Sequence, residues 1–529
     1  MSSRGRISGG PLAVPLGLGL LLLALTAPGQ DERPRPAGVP AKVEKLTVSA
    51  KECGVCHASP EKYADDRGKL ICEMNEASVW EREDKHKDAY NVLLGPRGQA
   101  IGRALGGLSG MTFDVTKERA CLNCHATPVY GIEPSQFDQK ENGVSCIVCH
   151  GAGQEWIALH PYYKRKQWRQ HPRKVREEAY GMTDLWDPVR RAETCAACHI
   201  GKADLEHPEE GKVLTHAMYA AGHPPLPGFE AATFCEAQPR HWRFLREKTS
   251  EVQAFQGYNP AKRERTELVA AGGVVALRTM SALFAAQTRS EGAAKPIGSA
   301  WPDFARYDCY NCHHDLRRPS WRQARGYEAP PGRPLEPSWT NPLVRLGVAL
   351  ADPARAGERM TQYRAKLKRF HGALGARPFG DRAEAGAAAQ DLADWTDALL
   401  SDLRRGTADP RHVGVDGPGA LGLLHLLCRE ARDTWDYDAA REVAWAFRTI
   451  FEEAQAFDPK AVPDPKVPEI LKQLDAALGL TLRPDGPRGP LENTLAGRLK
   501  VIADYDPRAF HALFAELAQR LPPDPAPAR

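Results

Sequence analysis

The sequence predicts a mainly α-helical protein with extensive loops, built in two successive parts. Three observations predict it. Residues 53–314 are dense in Cys, His, Gly and Pro and show weak periodicity. Beyond residue 340, apolar side chains recur at steps of three and four. A Pro-rich stretch, Ala329 to Pro337, separates the two. The chain's 529 residues are too many for one ordinary domain. Its 42% hydrophobic and 26% charged residues exclude a polytopic membrane protein and a wholly disordered chain. A formal charge of +4, from 71 basic and 67 acidic residues, argues against a nucleic-acid binder that relies on bulk charge.

Taken in order, the first element is a basic start (Arg4, Arg6), an apolar run from Leu12 to Leu25, and Thr26-Ala27-Pro28-Gly29 before the charged Asp31-Glu32-Arg33. This is the pattern of a secretory signal peptide over residues 1–29, which places the chain on the exported or periplasmic side. An uncleaved anchor is the alternative, although the run falls short of the ~20 residues that span a bilayer. No later segment reads as transmembrane. Residues 30–50, with Pro34, Pro36 and Pro40, read as a linker, residues 51–325 as the Cys/His-rich domain, 326–340 as a second linker and 341–529 as an α-helical domain. Within the Cys/His-rich domain, Pro260 to Ser290 reads as a helix despite Gly272-Gly273. In the last domain, Met360, Tyr363, Leu367, Phe370 and Leu374 make one helical stripe, and Phe510, Leu513, Phe514, Leu517 and Leu521 another. The expectation is a bundle of six or seven helices, with His371, His412, His425 and His511 as structural or surface residues.

Five times the chain spells Cys-x-x-Cys-His. The copies are Cys53, Cys56 and His57; Cys121, Cys124 and His125; Cys146, Cys149 and His150; Cys195, Cys198 and His199; and Cys309, Cys312 and His313. These take ten of the 13 cysteines, and about 0.01 copies are expected by chance from the chain's composition. On a helical turn, residues i and i+3 share a face, so both thiols reach the two vinyl groups of one haem. The histidine that follows turns its imidazole under the iron. This is the attachment signal of a c-type haem, and five copies predict five c-type haems. Structural zinc prefers paired knuckles, and five do not pair. Disulfides leave the histidines unexplained. Haem plates also supply the core that side chains of this segment lack.

The sixth ligand of each iron decides between electron transfer and an open site. Eight histidines before residue 320 lie outside the motifs. His86, His160, His216 and His223 are the first candidates. His216 and His223 are seven residues apart, two helical turns, and are placed to serve two different haems. His314 follows a motif histidine and is offered to a neighbouring iron. His171 and His207 lie in charged surroundings and read as solvated surface, while His241 is left undecided. Four first candidates for five irons leave room for one open iron.

These residues resemble exported multihaem c-type cytochromes of the cytochrome c-554 class, related in haem packing to hydroxylamine oxidoreductase. The resemblance covers residues of about 50 to 320. It rests on the serial motifs, on Trp80…His86, on Cys146-Ile147-Val148-Cys149-His150-Gly151-Ala152-Gly153 and on Thr215-His216…Gly222-His223-Pro224. It implies stacked haems, bis-histidine irons with sometimes one five-coordinate haem, and electron transfer between periplasmic redox proteins. His86, His216 and His223 would be distal ligands. The fifth motif and the long helical C-terminal region depart from the tetrahaem members. An alternative function is oxidation or reduction of a small nitrogen or sulfur compound (hydroxylamine, nitric oxide, nitrite) at an open haem. A five-haem nitrite reductase fits less well, because its active haem normally replaces the motif histidine by lysine. The expected partners are other redox proteins of an exported chain, with neither nucleic acid nor a membrane span beyond the signal segment, and the helical domain offers a surface for oligomerisation.

Three further features remain. The basic run Lys164–Arg176, interleaved with Tyr162, Tyr163 and Trp168, reads as a solvated helix or as a docking face for an acidic partner. Cys72 and Cys235 are either a disulfide or free buried thiols, and Cys428 reads as a core residue. Without residues 1–29 the charge falls to +2, because Arg4 and Arg6 are lost, and ten haem propionates would make the holoprotein acidic.

Overall fold

In the computed structural model, the described residues are 42–62, 70–110, 112–162, 168, 171–289, 301–318, 320–324, 332–408, 417–480 and 495–524. The segment read as a signal peptide, His412 and residues 164–167 and 169–170 of the basic run lie outside them. The described residues are mainly helical. They contain no strand, only the isolated bridges Lys45–Gly153 and Lys202–Lys212.

Four motifs close short helices that end on their histidine: Ala50–His57, Arg119–His125, Cys146–His150 and Pro188–His199. The fifth lies on a 3-10 turn, Cys309–Asn311. Three of the starts are chemically marked. Ser49 and Glu52 form a capping box, Asp187 accepts from the amide of Val189 at 2.9 Å ahead of Pro188, and Asp308 accepts from the amide of Tyr310 at 2.9 Å. Such caps let short helices persist where few apolar side chains stabilise them. After the third motif the chain passes through Gly151 at φ +92°, and a Cβ there would overlap the carbonyl of Gly181. Glycine is required because two backbones meet.

Residues 43–47 do not hang free as a linker. The Leu46 amide donates to the Ala152 carbonyl at 2.6 Å and the Gln154 amide to Glu44 at 2.8 Å, which lashes the segment to the third motif. The end of the second linker is likewise tied down: Glu336 is buried against His371 at 2.7 Å, and the Leu335 carbonyl accepts from the Asp308 amide at 2.9 Å.

The helix Glu264–Arg289 differs most from its reading as part of the Cys/His-rich domain. It is buried on nearly every face, from Leu268 to Gln287. Among the described residues it alone is long and apolar enough to cross a membrane, yet 89% of its most apolar window is buried inside the protein. Its neighbours are Pro188–His199 and Ala231–Ala237 from the Cys/His-rich segment and Val344–Ala351, Arg382–Ala408 and Tyr437–Phe457 from beyond residue 340. Gly272 and Gly273 lie where Ala231 and Leu343 press closest, so the absence of side chains permits the packing. One continuous apolar core therefore runs from Val189 to Leu521. Beyond residue 340, eight α-helices are described, beginning with Val344–Ala351 and ending with Pro507–Arg520. His371, His425 and His511 bond to Glu336, the Pro522 carbonyl and the Thr434 carbonyl within this region.

Candidate haem-binding site

Each motif histidine faces one other histidine from a distant part of the chain. The ring centres of His57 and His160 are 6.3 Å apart, those of His199 and His86 6.2 Å, His125 and His223 6.3 Å, His150 and His241 6.5 Å, and His313 and His216 6.4 Å. Two imidazole–metal bonds of about 2 Å, with each ring centre about 1 Å behind its nitrogen, separate the centres by about 6 Å. The five gaps have the width of one iron.

The partners are positioned locally. His86 sits on a 3-10 turn capped by Asp84, and its carbonyl accepts from the Val144 amide at 2.9 Å, which ties it to the third motif segment. His160 follows the helix Gln154–Leu159 and packs on Trp156, ring centres 5.0 Å apart. His216 opens a helix capped by Thr215 that ends at Ala220. Gly222, at φ +108°, then turns the chain so that His223 reaches a different motif. His216 and His223 face different motif histidines, His313 and His125, although no single helix spans them.

Nδ1 of six of these rings is already engaged. His57 bonds Glu76 Oε2 at 2.9 Å, His86 bonds Asp84 Oδ1 at 2.8 Å, and His125 bonds the Ala89 carbonyl at 2.8 Å. His160, His223 and His241 bond the carbonyls of Ile157, Pro224 and Pro239 at 3.0, 2.8 and 3.3 Å. A ring whose Nδ1 carries the proton in a hydrogen bond presents a bare Nε2, the form a metal requires. Burial agrees with this. It pushes His150 down to about 4, helped by His241, and His199 down to about 4, helped by His86, and it lowers His160 and His223. Neutral donors bind metals and protonated ones do not. His86 moves the other way, raised chiefly by its bond to Asp84.

Some of the motif thiols also meet across motifs. Cys53 hydrogen-bonds Cys146, and Cys124 hydrogen-bonds Cys198, whose sulfur accepts from Lys212 Nζ at 3.1 Å. These contacts bring the first motif beside the third and the second beside the fourth. Cys56 departs from this arrangement. It lies three residues after Cys53 on the helix Ala50–His57 and is half-buried, but the structure brings no second thiol to it among the described residues. Its carbonyl accepts from the Ala58 amide and from the Ser59 amide, the latter at 3.3 Å. The physical reason is its place on the helix: Cys53 is turned toward the third motif, and Cys56 sits one turn further along, outside that contact. The assignment of Cys56 to haem attachment therefore rests on its spacing from Cys53 and its adjacency to His57, not on a contact in the structure. A cleft of about 710 Å³ lies between the fourth and fifth motifs, lined by His199, Cys309, Tyr310, Arg306 and Trp339. The residues present fit covalently attached haem at all five motifs.

His314 forms no ring pair with a motif histidine among the described residues; its Nδ1 bonds the Asp315 carbonyl at 2.7 Å. The ring that faces the remaining motif histidine, His150, is that of His241, in a loop with no helical context to announce it. His207 is exposed, as expected, while His171 is half-buried against Trp168 and Tyr180, with the Tyr180 hydroxyl at 3.1 Å. Cys72 and Cys235 are free thiols rather than a disulfide, and burial pushes Cys72 up to about 12, which makes it inert. Sequence reasoning missed Glu76 and Asp84. Only the two-residue spacing of Asp84 and His86 hinted at the second.

A family model, Cytochrome c554 and c-prime, matches residues 52–151, 100 of the 529 residues, with the first three motifs. No curated protein and no solved structure matches the chain. The match supports a c-type cytochrome with covalently bound haem iron and a role in electron transfer.

Proposed function

We propose that this chain is an exported cytochrome with five c-type haems, each iron held between two histidines, that passes electrons between redox proteins. The observation that carries the reading is the set of five ring pairs, 6.2–6.5 Å between centres. An open iron for hydroxylamine, nitric oxide or nitrite is motivated by a shortage of distal histidines, and His241 opposite His150 removes that shortage.

Haem supplies a one-electron ferric/ferrous couple. The chain's own groups do the rest. The ten cysteines would hold the haems through thioether bonds, and the ten histidines would ligate the irons and keep substrates off the metal. Contacts between thiols set the order of the plates: Cys53 with Cys146 joins the first and third motifs, and Cys124 with Cys198 joins the second and fourth. The cleft lined by His199 and Cys309 brings the fifth beside the fourth. These adjacencies support stacked haems in two groups, the first with the third and the second with the fourth and fifth. In the same reading the helices beyond residue 340 form a bundle that braces the haem region, residues 1–29 direct export, and the partners are redox proteins of an exported chain.

His241→Ala is the decisive test. Electron paramagnetic resonance of the oxidised holoprotein should show five low-spin haems. The variant should show four low-spin haems and one high-spin haem that now binds cyanide or nitric oxide. A high-spin signal in the unaltered protein, with turnover of hydroxylamine or nitrite, would instead establish an open catalytic haem.

A further inference from the structure

Two of the ten histidines differ from the rest in what their Nδ1 meets. His57 meets a carboxylate, Glu76 Oε2 at 2.9 Å, and His86 meets a carboxylate, Asp84 Oδ1 at 2.8 Å. His125, His160, His223 and His241 meet neutral backbone carbonyls. Among the described residues, no other member of the ten has a carboxylate on its ring.

Both carboxylates are held in place. The second oxygen of Glu76 accepts from the amides of Glu73 at 2.5 Å and Met74 at 3.3 Å, and Met74 adopts φ +61° in that turn. Asp84, whose side chain is 3% exposed, accepts from the His86 amide at 2.9 Å through Oδ1 and from Gln238 Nε2 at 2.8 Å through Oδ2. Gln238 comes from 154 residues away, so the aspartate is clamped by tertiary structure and not only by its neighbour in sequence.

We propose that Glu76 and Asp84 are positioning residues that lower the reduction potentials of the first and fourth haems relative to the other three. This rests on the bis-histidine reading, with His57/His160 on the first haem and His199/His86 on the fourth. With Nε2 on iron, the remaining proton sits on Nδ1 and is donated to the acceptor. An anionic acceptor forms the stronger bond, draws that proton away and leaves the imidazole more basic. A more basic ligand stabilises ferric over ferrous iron, and so does a buried negative charge close to the metal, where screening is weak. Both effects act in one direction. The two haems then sit in different pairs, the first beside the third and the fourth beside the second, so each pair holds one haem of lower and one of higher potential.

The test is a potentiometric titration of the holoprotein, followed by electron paramagnetic resonance, for the unaltered chain, Glu76→Gln and Asp84→Asn. Each variant keeps an acceptor oxygen and removes the charge. Each should raise one of the five potentials by at least a tenfold change in the reduced-to-oxidised ratio, about 59 mV for a one-electron couple. The double variant should raise two, and the ferric near-infrared charge-transfer bands of those haems should shift. Unmoved potentials in variants that keep five low-spin haems would overturn the proposal. His86→Ala separates this from failure of the ligand assignment. Loss of one low-spin haem upholds His86 as a ligand, whereas an unchanged count removes the basis of both readings.

Discussion

Glu267 illustrates how a single buried group leaves a measurable trace. It is 4% exposed on the helix Glu264–Arg289, and burial raises its carboxyl to about 7 despite Lys262 Nζ at 3.3 Å, with Glu453 and Glu264 adding to the rise. The folded state therefore holds its proton more tightly than the unfolded chain. Its contribution to stability is complete below the ordinary value of 4.5, falls as pH rises through 4.5 to about 7, and is level beyond. At one pKa unit per 1.36 kcal/mol, the loss is about 3 kcal/mol. Glu267→Gln should thus gain stability relative to the unaltered protein at pH 8 and little at pH 4.5. Thermal melts at the two pH values check this, and an equal difference at both would count against it. At this scale the sequence is most legible where covalent chemistry imposes spacing. The ten cysteines and five motif histidines need no tertiary information, and Cys56 shows the point most plainly, since nothing but its spacing marks it. The histidines that face the motif histidines need more. His86, His160, His216 and His223 have helical or turn contexts, but His241 lies in a loop whose path is set by packing, and His314 is distinguished only by its nearness in sequence to a motif.

At the scale of elements, glycine shows why a helix can be read correctly and its reason missed. Gly272-Gly273 weakens the case for the helix over Pro260 to Ser290, because glycine lowers helix propensity by up to about 1 kcal/mol per residue. In the structure the pair is an interface: a Cβ on Gly273 would overlap the side chain and carbonyl of Leu343, and one on Gly272 would overlap Ala231. Gly372, inside the helix Ala356–Gly375, has open space around its missing Cβ. Two glycines in helices should therefore respond with opposite signs. Gly273→Val should lower stability by about 2 kcal/mol through overpacking. Gly372→Ala should raise it by up to about 1 kcal/mol through propensity alone. Chemical denaturation of the two variants measures both, and a neutral Gly273→Val would mean that Leu343 can retreat. The short motif helices follow the same logic in reverse. Their caps are present in the sequence at Ser49, Asp187 and Asp308, but elements of 3 to 12 residues have too little periodicity to be recognised from apolar spacing.

At the scale of the molecule, periodicity divides the chain near residue 340, whereas packing does not. The helix Glu264–Arg289 belongs to the Cys/His-rich segment in sequence and to the C-terminal helices in space. The seam is polar as well as apolar. Glu453 accepts from the Thr266 hydroxyl at 2.7 Å, Arg265 reaches Glu452 at 3.0 Å, Arg404 reaches Asp187 at 2.7 Å, and the Tyr307 hydroxyl donates to the Phe379 carbonyl at 2.6 Å. Val274, Val275 and Phe284 are fully buried, and removal of residues 341–529 would strip Val344, Leu346, Phe370 and Leu392 from the core they share. Each large side chain so exposed loses about 1.5–3 kcal/mol of burial, and the loss of several exceeds the roughly 5–15 kcal/mol that keeps a domain folded. Truncation before residue 341 should therefore abolish folding of the haem-bearing segment, read as insoluble or degraded protein without a low-spin haem spectrum. If the truncated chain remained soluble with its haem spectrum intact, the C-terminal helices would be an appended assembly module, and loss of oligomerisation would then be the effect to measure. The shared core makes the first outcome the expected one, because the helix it would expose has no polar face with which to meet water.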